Sequence, residues 1–320
     1  MEDFMIQPNT QMPSRKSIPN PQCPRQTRGF TLFELLAVIA VLALLVSVIG
    51  PALGGTRADS RALRCRHNLK LMMEATLLYT YDFHELFPPN PDDGTTLPGY
   101  VWCAGQAGIG GVDEFNPDIL RDPKRTLVAP YLNFNADVFR CTADPRTGQY
   151  TGGALYPTSP LKGKEVPASR SISMNNAVGT IDPSYSSGVG HSGVPNLPVN
   201  GPWLTGSYGA NSAANGPWRT YGKTSQMVAP RPSTLWVLTE ENPLSINDAV
   251  LATSAGSPVW IDYPSTLHNS SCALAFGDGH CEPHRWVEPT TVLTGFASAR
   301  SISTHDVDWS WLAARTSARK

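Results

Sequence analysis

Hydrophobic and polar positions divide the chain into stretches of different period. Between residues 30 and 49 only Thr31, Glu34 and Ser47 interrupt an apolar run. At about 1.5 Å per residue, roughly 20 residues make a helix of about 30 Å, the thickness of a bilayer core. Farther on, Ala62, Cys65, Leu69, Met72, Thr76, Tyr79 and Phe83 recur at spacings of three and four, while Arg57, Arg61, Arg64 and Lys70 lie largely off that stripe. The pattern predicts an amphipathic helix that ends near His84, because Pro88-Pro89 cannot continue it. Pro51 and the Gly54-Gly55 pair predict a kinked or flexible joint between the two helical halves. Beyond residue 90 the signals are strands and turns. TLWVLT (234–239), PVWID (258–262) and CALAF (272–276) are rich in β-formers and bounded by turn residues. No acidic residue occurs between 183 and 239, and Gly, Ser, Pro and Asn dominate there, which predicts a long irregular insertion.

A carboxylate in an apolar helix is costly, roughly 2.5 to 3.5 kcal/mol near the centre of a membrane span and less towards its edge. Glu34 therefore requires a partner. An ordinary secretory signal is cut after its apolar stretch at a small-residue site, whereas Gly29-Phe30, the processing-like sequence here, lies before it. The segment resembles the N-terminus of type IV prepilins and of the pseudopilins of type II secretion systems, with Gly29 at the cleavage position, Phe30 as the new N-terminus and Glu34 following in the mature helix. The resemblance implies that a membrane-embedded aspartyl prepilin peptidase cuts after Gly29 and methylates the amino group of Phe30. It also implies that Glu34 meets the charged amine of a neighbouring subunit, and Pro51 stands where many pilins carry a helix-kinking proline.

Residues 1–29 then form a proline-rich leader, with Arg15, Lys16, Arg25 and Arg28 against Glu2 and Asp3. Arg57, Arg61, Arg64, Arg66 and Lys70 crowd the other flank of the apolar run, so charge counting does not orient the chain. The cleavage motif does, with the leader cytoplasmic and the C-terminal head periplasmic, on a single pass through the inner membrane. With 27 glycines and 29 prolines in 320 residues, against a usual combined share of about 12%, that head is expected to be rich in loops. A net charge of −1 gives no support to a nucleic-acid partner.

A second resemblance spans the head. His268, nine further residues and then Asp278-Gly279 resemble the prepilin-processing-associated C-terminal motif of a pseudopilin-like family abundant in planctomycete and verrucomicrobial bacteria. RCRHNLKLMMEATLLYTYD (64–82) followed by Phe87-Pro88, FRCTAD (139–144), SRSISMN (169–175), SIND (245–248) and FGDGHCEPHRW (276–286) agree with it in order. The resemblance assigns no biochemical activity, and no role to His268, Asp278 and Gly279.

The residues around that motif carry candidate chemistry. CALAF-GDG-HCEPHRW reads as a hairpin in which Asp278 and Gly279 supply the turn. His280, Glu282, His284 and Trp286 then share one strand face. Two histidines flanking a carboxylate could ligate zinc, and Asp278 with nearby carbonyls could hold calcium. The competing reading is turn chemistry beside a solvated or aromatic-packed histidine face. Of six cysteines, Cys23 leaves with the leader, so Cys65, Cys103, Cys141, Cys272 and Cys281 remain, and an odd count leaves at least one thiol unpaired. A three-residue hairpin loop puts Cys272 and Cys281 on opposite faces. A Cys65–Cys141 disulfide is the favoured bridge, since both lie in family-like motifs and an oxidising periplasm permits it, with buried free thiols as the alternative.

There is no G-x-S-x-G, P-loop, H-E-x-x-H or post-strand G-x-G-x-x-G, so no catalytic residues are expected. Trp102, Trp203, Tyr208, Trp218 and Tyr221 offer either a glycan-stacking platform or anchors for the loops. The expected fold is α+β and pilin-like, a long N-terminal helix packed on an antiparallel sheet. Its parts are a leader (1–29), a transmembrane assembly helix (30–50), an amphipathic continuation (51–88) and a loop-rich β head (89–320). The expected function is that of a pseudopilin-like structural subunit of a secretion pseudopilus or envelope filament. Its partners are prepilin peptidase, other pilin-type subunits and the membrane, and calcium or zinc are the only cofactors the residues suggest. The alternative is an extracytoplasmic binding protein that uses a prepilin-type anchor to hold a polysaccharide or an exported protein.

Overall fold

A helix of 51 residues, α1 (Leu32–Asp82), dominates the N-terminal part of the chain. The computed structural model describes residues 29–90, 99, 101–181, 197–209, 211, 214–296 and 298–320, with backbone alone for 46–59. The expected leader, apart from Gly29, and residues 183–196, 210, 212 and 213 of the acid-free stretch lie outside these. The chain divides into two compact units, Met1–Leu53 and Gly54–Lys320.

In the first unit, Phe30, Phe33, Leu36, Ile39, Leu42 and Leu45 are all exposed. These side chains lie all around the helix, so this is an apolar surface without the polar face of an ordinary amphipathic helix. Among the described residues no helix is long and apolar enough to cross a membrane. The described side chains of the apolar run stop at Leu45, short of the roughly 20 residues that a span requires.

In the second unit the expected helical stripe is buried: Cys65, Leu69, Met72, Thr76 and Tyr79 face inward, while Arg61, Arg64 and Lys70 are exposed. The helix stops at Asp82, two residues before the expected His84. His84 and Glu85 adopt left-handed backbone (φ 54° and 68°), which ends the helical hydrogen-bond ladder. Phe83, already past the end, is exposed and stacks on Tyr79 at 4.2 Å.

The fold is α+β. A five-stranded sheet is built from β1 (Ile172–Asn175), β2 (Trp236–Glu240), β3 (Val250–Leu251), β4 (Ser271–Phe276) and β5 (Cys281–Arg285), in the order β5-β4-β2-β1-β3. All neighbours are antiparallel except β1 and β3. Within the expected PVWID strand only Val259–Trp260 forms a ladder, with Arg300–Ser301.

Alternation along β4 sorts its side chains onto two cores. Ala273 and Ala275 point into a cluster with Leu69, Met72 and Met73 of α1, and their small size leaves room for the helix. Cys272, Leu274 and Phe276 point into a second cluster with Trp236, Trp260, Trp286 and Leu312. Leu312 belongs to α2 (Val307–Thr316), whose N-cap Asp306 accepts a hydrogen bond from the Trp309 amide at 2.9 Å. Burial of β1 on both sides includes polar positions, each satisfied: Ser173 donates to Glu241, and Asn175 Nδ2 donates to the carbonyls of Trp236 and Thr316.

Candidate functional site

At the head of α1, Thr31 and Glu34 bond each other. Thr31 donates from its amide and its hydroxyl to Glu34 Oε2, both at 2.8 Å, and the Glu34 amide donates to Thr31 Oγ1 at 3.2 Å. This is a capping box, T-x-x-E, and it satisfies two of the helix's unpaired amides. The partner that Glu34 requires is thus supplied locally in part, by neutral donors that leave the carboxylate's charge in place.

Residues 24–50 match the prokaryotic N-terminal methylation motif. The chain therefore carries a type IV pilin-like prepeptide. Such a motif implies processing by a prepilin peptidase and pilin-type assembly, with Gly29, Phe30 and Glu34 inside the matched segment. No curated protein and no solved structure matches the chain.

Beyond the motif, the second unit brings together four side chains from four separate segments. Cys65 comes from the buried stripe of α1, and Cys141 from the FRCTAD segment just after a 3-10 turn at Ala136–Phe139. Glu240 ends β2, and His268 sits in the turn before β4. That turn is made by Asn269 and Ser270, both left-handed (φ 56° and 57°), with the Ser270 amide donating to the Thr266 carbonyl at 3.1 Å. Sγ of Cys65 lies 3.2 Å from Sγ of Cys141, Sγ of Cys141 lies 3.1 Å from Nε2 of His268, and that nitrogen lies 3.3 Å from Oε1 of Glu240. The Thr142 amide donates to Cys65 Sγ at 3.1 Å, and the Ala273 amide donates to Glu240 Oε2 at 2.9 Å.

The favoured cysteine pair is therefore adjacent, yet Cys65 and Cys141 are free thiols, as are Cys103, Cys272 and Cys281. Their protonation is uneven. The hydrogen bond from Cys141 pulls the Cys65 thiol down, against burial and with help from His268 and Thr142. The same bond pushes Cys141 up, together with burial and the Glu240 charge. Burial opposes a charge on His268, but Cys65 and Glu240 overrule it and carry its pKa up to about 10.

The other expected metal group is corrected. Among the described residues, the His, Cys, Asp and Glu side chains that converge to ligand distance are Cys65, Cys141, Glu240 and His268. Asp278, His280, Glu282 and His284 are not such a group. Asp278 Oδ1 pairs with Nδ1 of its neighbour His280 at 2.5 Å, and His280 stacks on Phe276 at 4.4 Å. His284 stacks on Trp311 at 3.6 Å, so aromatic packing occupies it. The hairpin itself forms as expected: Phe276 faces His280 across Gly277, Asp278 and Gly279, and Gly279 takes the left-handed conformation (φ 90°). Cys272 and Cys281 do fall on opposite faces, opposite His284 and Ala275 respectively. His268 and Asp278 stand at opposite ends of β4, a strand of six residues, or about 20 Å.

The loop aromatics separate into three groups. Trp102 and Tyr221 are fully buried, Trp102 donating from Nε1 to Asn90 Oδ1 at 2.9 Å, so they are core residues and not a platform. Trp218 is held by Arg319, whose guanidinium lies 5.8 Å above its ring. Trp203 and Tyr208 are half-buried, a tilted pair 5.4 Å apart, lining a cleft of about 870 Å³ with Asp248, Asp262 and Phe296.

Glu240 is the site residue that the sequence reading missed, and its neighbour Glu241 is a second buried acid outside the cluster. Glu241 turns to the other side of the strand, accepts from Ser173 and Ser245 and lies near Arg170, with burial the main force raising its pKa to about 8. Two consecutive acids closing a strand that is apolar but for Thr239, WVLTEE, were the available signal, because buried carboxylates persist only where they have partners.

Proposed function

We propose that this chain is a pseudopilin-like structural subunit. A prepilin peptidase cuts between Gly29 and Phe30 and methylates Phe30, and the mature chain assembles through its N-terminal helix into a type II secretion-like pseudopilus or envelope filament. The observation that carries this reading is the methylation motif at residues 24–50. Two features of the first unit support it. An apolar helix surface exposed all round requires cover, which lipid gives before assembly and neighbouring helices after it. Glu34 keeps its charge beside the cleavage site, where the amine freed at Phe30 of a neighbouring subunit is its natural counter-ion. The role is structural and not catalytic. His268 turns one and the same nitrogen to Cys141 and Glu240, whereas a nucleophile–base–acid relay uses the two ring nitrogens for the two partners. The test is Glu34→Ala: it should insert in the membrane and fail to enter filaments, and normal incorporation contradicts the reading.

A second reading rests on the cleft at Trp203 and Tyr208. Paired half-buried aromatics beside carboxylates suit a sugar, whose apolar faces stack on rings while its hydroxyls bond acids. In that reading the same N-terminal helix anchors an extracytoplasmic polysaccharide-binding protein. Loss of glycan binding in Trp203→Ala, with filament assembly unaffected, separates it from the first.

A further inference from the structure

We infer that Cys65, Cys141, His268 and Glu240 form a tetrahedral zinc-type metal site that ties α1 to the FRCTAD segment and to the ends of the interior strands β2 and β4. Zinc bonds of about 2.3 Å to sulfur and 2.0 to 2.2 Å to nitrogen or oxygen put tetrahedral ligand atoms about 3.3 to 3.8 Å apart. Three of the pairs here are 3.2, 3.1 and 3.3 Å apart, and all four ligand atoms lie within 4.8 Å of one another. A shift of a few tenths of an ångström opens that arrangement around an ion.

Two thiolates, a neutral imidazole and a carboxylate are a donor set suited to zinc, whereas calcium and magnesium take oxygen ligands. On binding, the thiol protons and the imidazolium proton of His268 pass to solvent, so that two thiolates, a neutral imidazole and one carboxylate surround a dication.

The surroundings fit a preformed site. Amides of Thr142 and Ala143 donate to the sulfurs of Cys65 and Cys141 at 3.1 and 3.4 Å, the backbone support that steadies a metal-bound thiolate. The Ala273 amide holds Oε2 of Glu240 and leaves Oε1 facing the cluster. A cavity of about 280 Å³ between Leu63, Arg66 and Pro283 reaches His268 and Glu240 and offers the ion a path in. Cys65, Cys141 and Glu240 are themselves buried, so the ion would be shielded from competing water.

The experiment uses the full-length chain extracted in detergent from the membranes of cells that make it. Elemental analysis should give one zinc per chain. After chelation under reducing conditions, cobalt(II) should be taken up one per chain, with the visible and charge-transfer absorption of a tetrahedral thiolate site. Glu240→Gln should weaken cobalt uptake about tenfold or more, and His268→Ala and Cys141→Ser should remove it. A Cys65–Cys141 disulfide in the protein as extracted, reduced protein that takes up no cobalt, or full zinc content in His268→Ala overturns the proposal. Where a cysteine variant does not fold, the stoichiometry of the unaltered protein decides.

Discussion

Thr31 and Glu34 cap α1 reciprocally: the amide of each bonds the side chain of the other, at 2.8 and 3.2 Å. The carboxylate at the start of the apolar run thus has a structural role within one chain, in addition to the intersubunit role proposed for it above. The two roles differ in what they require. Capping needs an oxygen acceptor at position 34, which Gln supplies as well as Glu, while pairing with an amine needs the charge.

Glu34→Gln should therefore keep the helix and its membrane insertion and lose filament assembly. Thr31→Ala should cost about 1 kcal/mol at the helix start and leave assembly intact. Incorporation into sheared filaments or subunit cross-linking checks both, and a Glu34→Gln chain that assembles normally reduces Glu34 to a cap.

The hairpin makes a sharper statement about the Asp-Gly pair. Gly279 sits at φ 90°, and a Cβ there would meet Leu77 Cδ1 at 3.2 Å. Gly279→Ala should destabilise the head by about 1 to 2 kcal/mol, whereas Asp278→Ala, which removes bonds to an exposed neighbour, should cost less than about 1 kcal/mol. Thermal unfolding measures both. Equal and large losses would point to a role for Asp278 beyond the turn.

His284 predicts a pH effect. Burial against Trp311 and Trp286 holds its pKa below the ordinary 6.5, with Arg315 acting in the same direction and Asp308 and Glu282 opposing. The folded protein therefore keeps it neutral while the unfolded chain takes up a proton near pH 6.5. Stability is full above that value and declines as pH falls through 6.5 towards the folded pKa. His284→Phe, which keeps the stacked ring, should flatten this decline in melting temperature between pH 7 and pH 5. An unchanged slope would remove His284 as its source.

The cleft reading predicts that glycans lose binding to Trp203→Ala at least about tenfold, since an aromatic contact contributes about 0.5 to 1.5 kcal/mol beyond the area it covers. Trp218→Ala should leave glycan binding unchanged, because Trp218 is engaged with Arg319. Array binding with the two variants distinguishes them, and a reversed order removes the cleft from consideration.

What was legible in the sequence followed local rules. The buried stripe of α1 was readable from its spacing, its end from Pro88-Pro89, and the β4–β5 hairpin from alternation around Gly-Asp-Gly. The T-x-x-E capping box was equally local and was overlooked beside the membrane argument. Strand β1 was hidden because Ser173 and Asn175 are polar, and their partners Glu241, Trp236 and Thr316 are distant in sequence. Helix α2 carried a readable start, Asp306 capping Trp309, that the strand-dominated reading of the head passed over. The cluster was half legible: Cys65, Cys141 and His268 each stood in a family-like motif, and the Cys65–Cys141 pairing was anticipated as a bond. Their convergence with Glu240 depends on sheet order, which no local pattern encodes.

The central claim is that the apolar helix is a processed pilin-type N-terminus. N-terminal mass spectrometry of the protein extracted from membranes tests it most directly. The mature chain should begin at Phe30 with an N-methylated amine. An intact Met1, or a first residue beyond Gly50, would contradict the account.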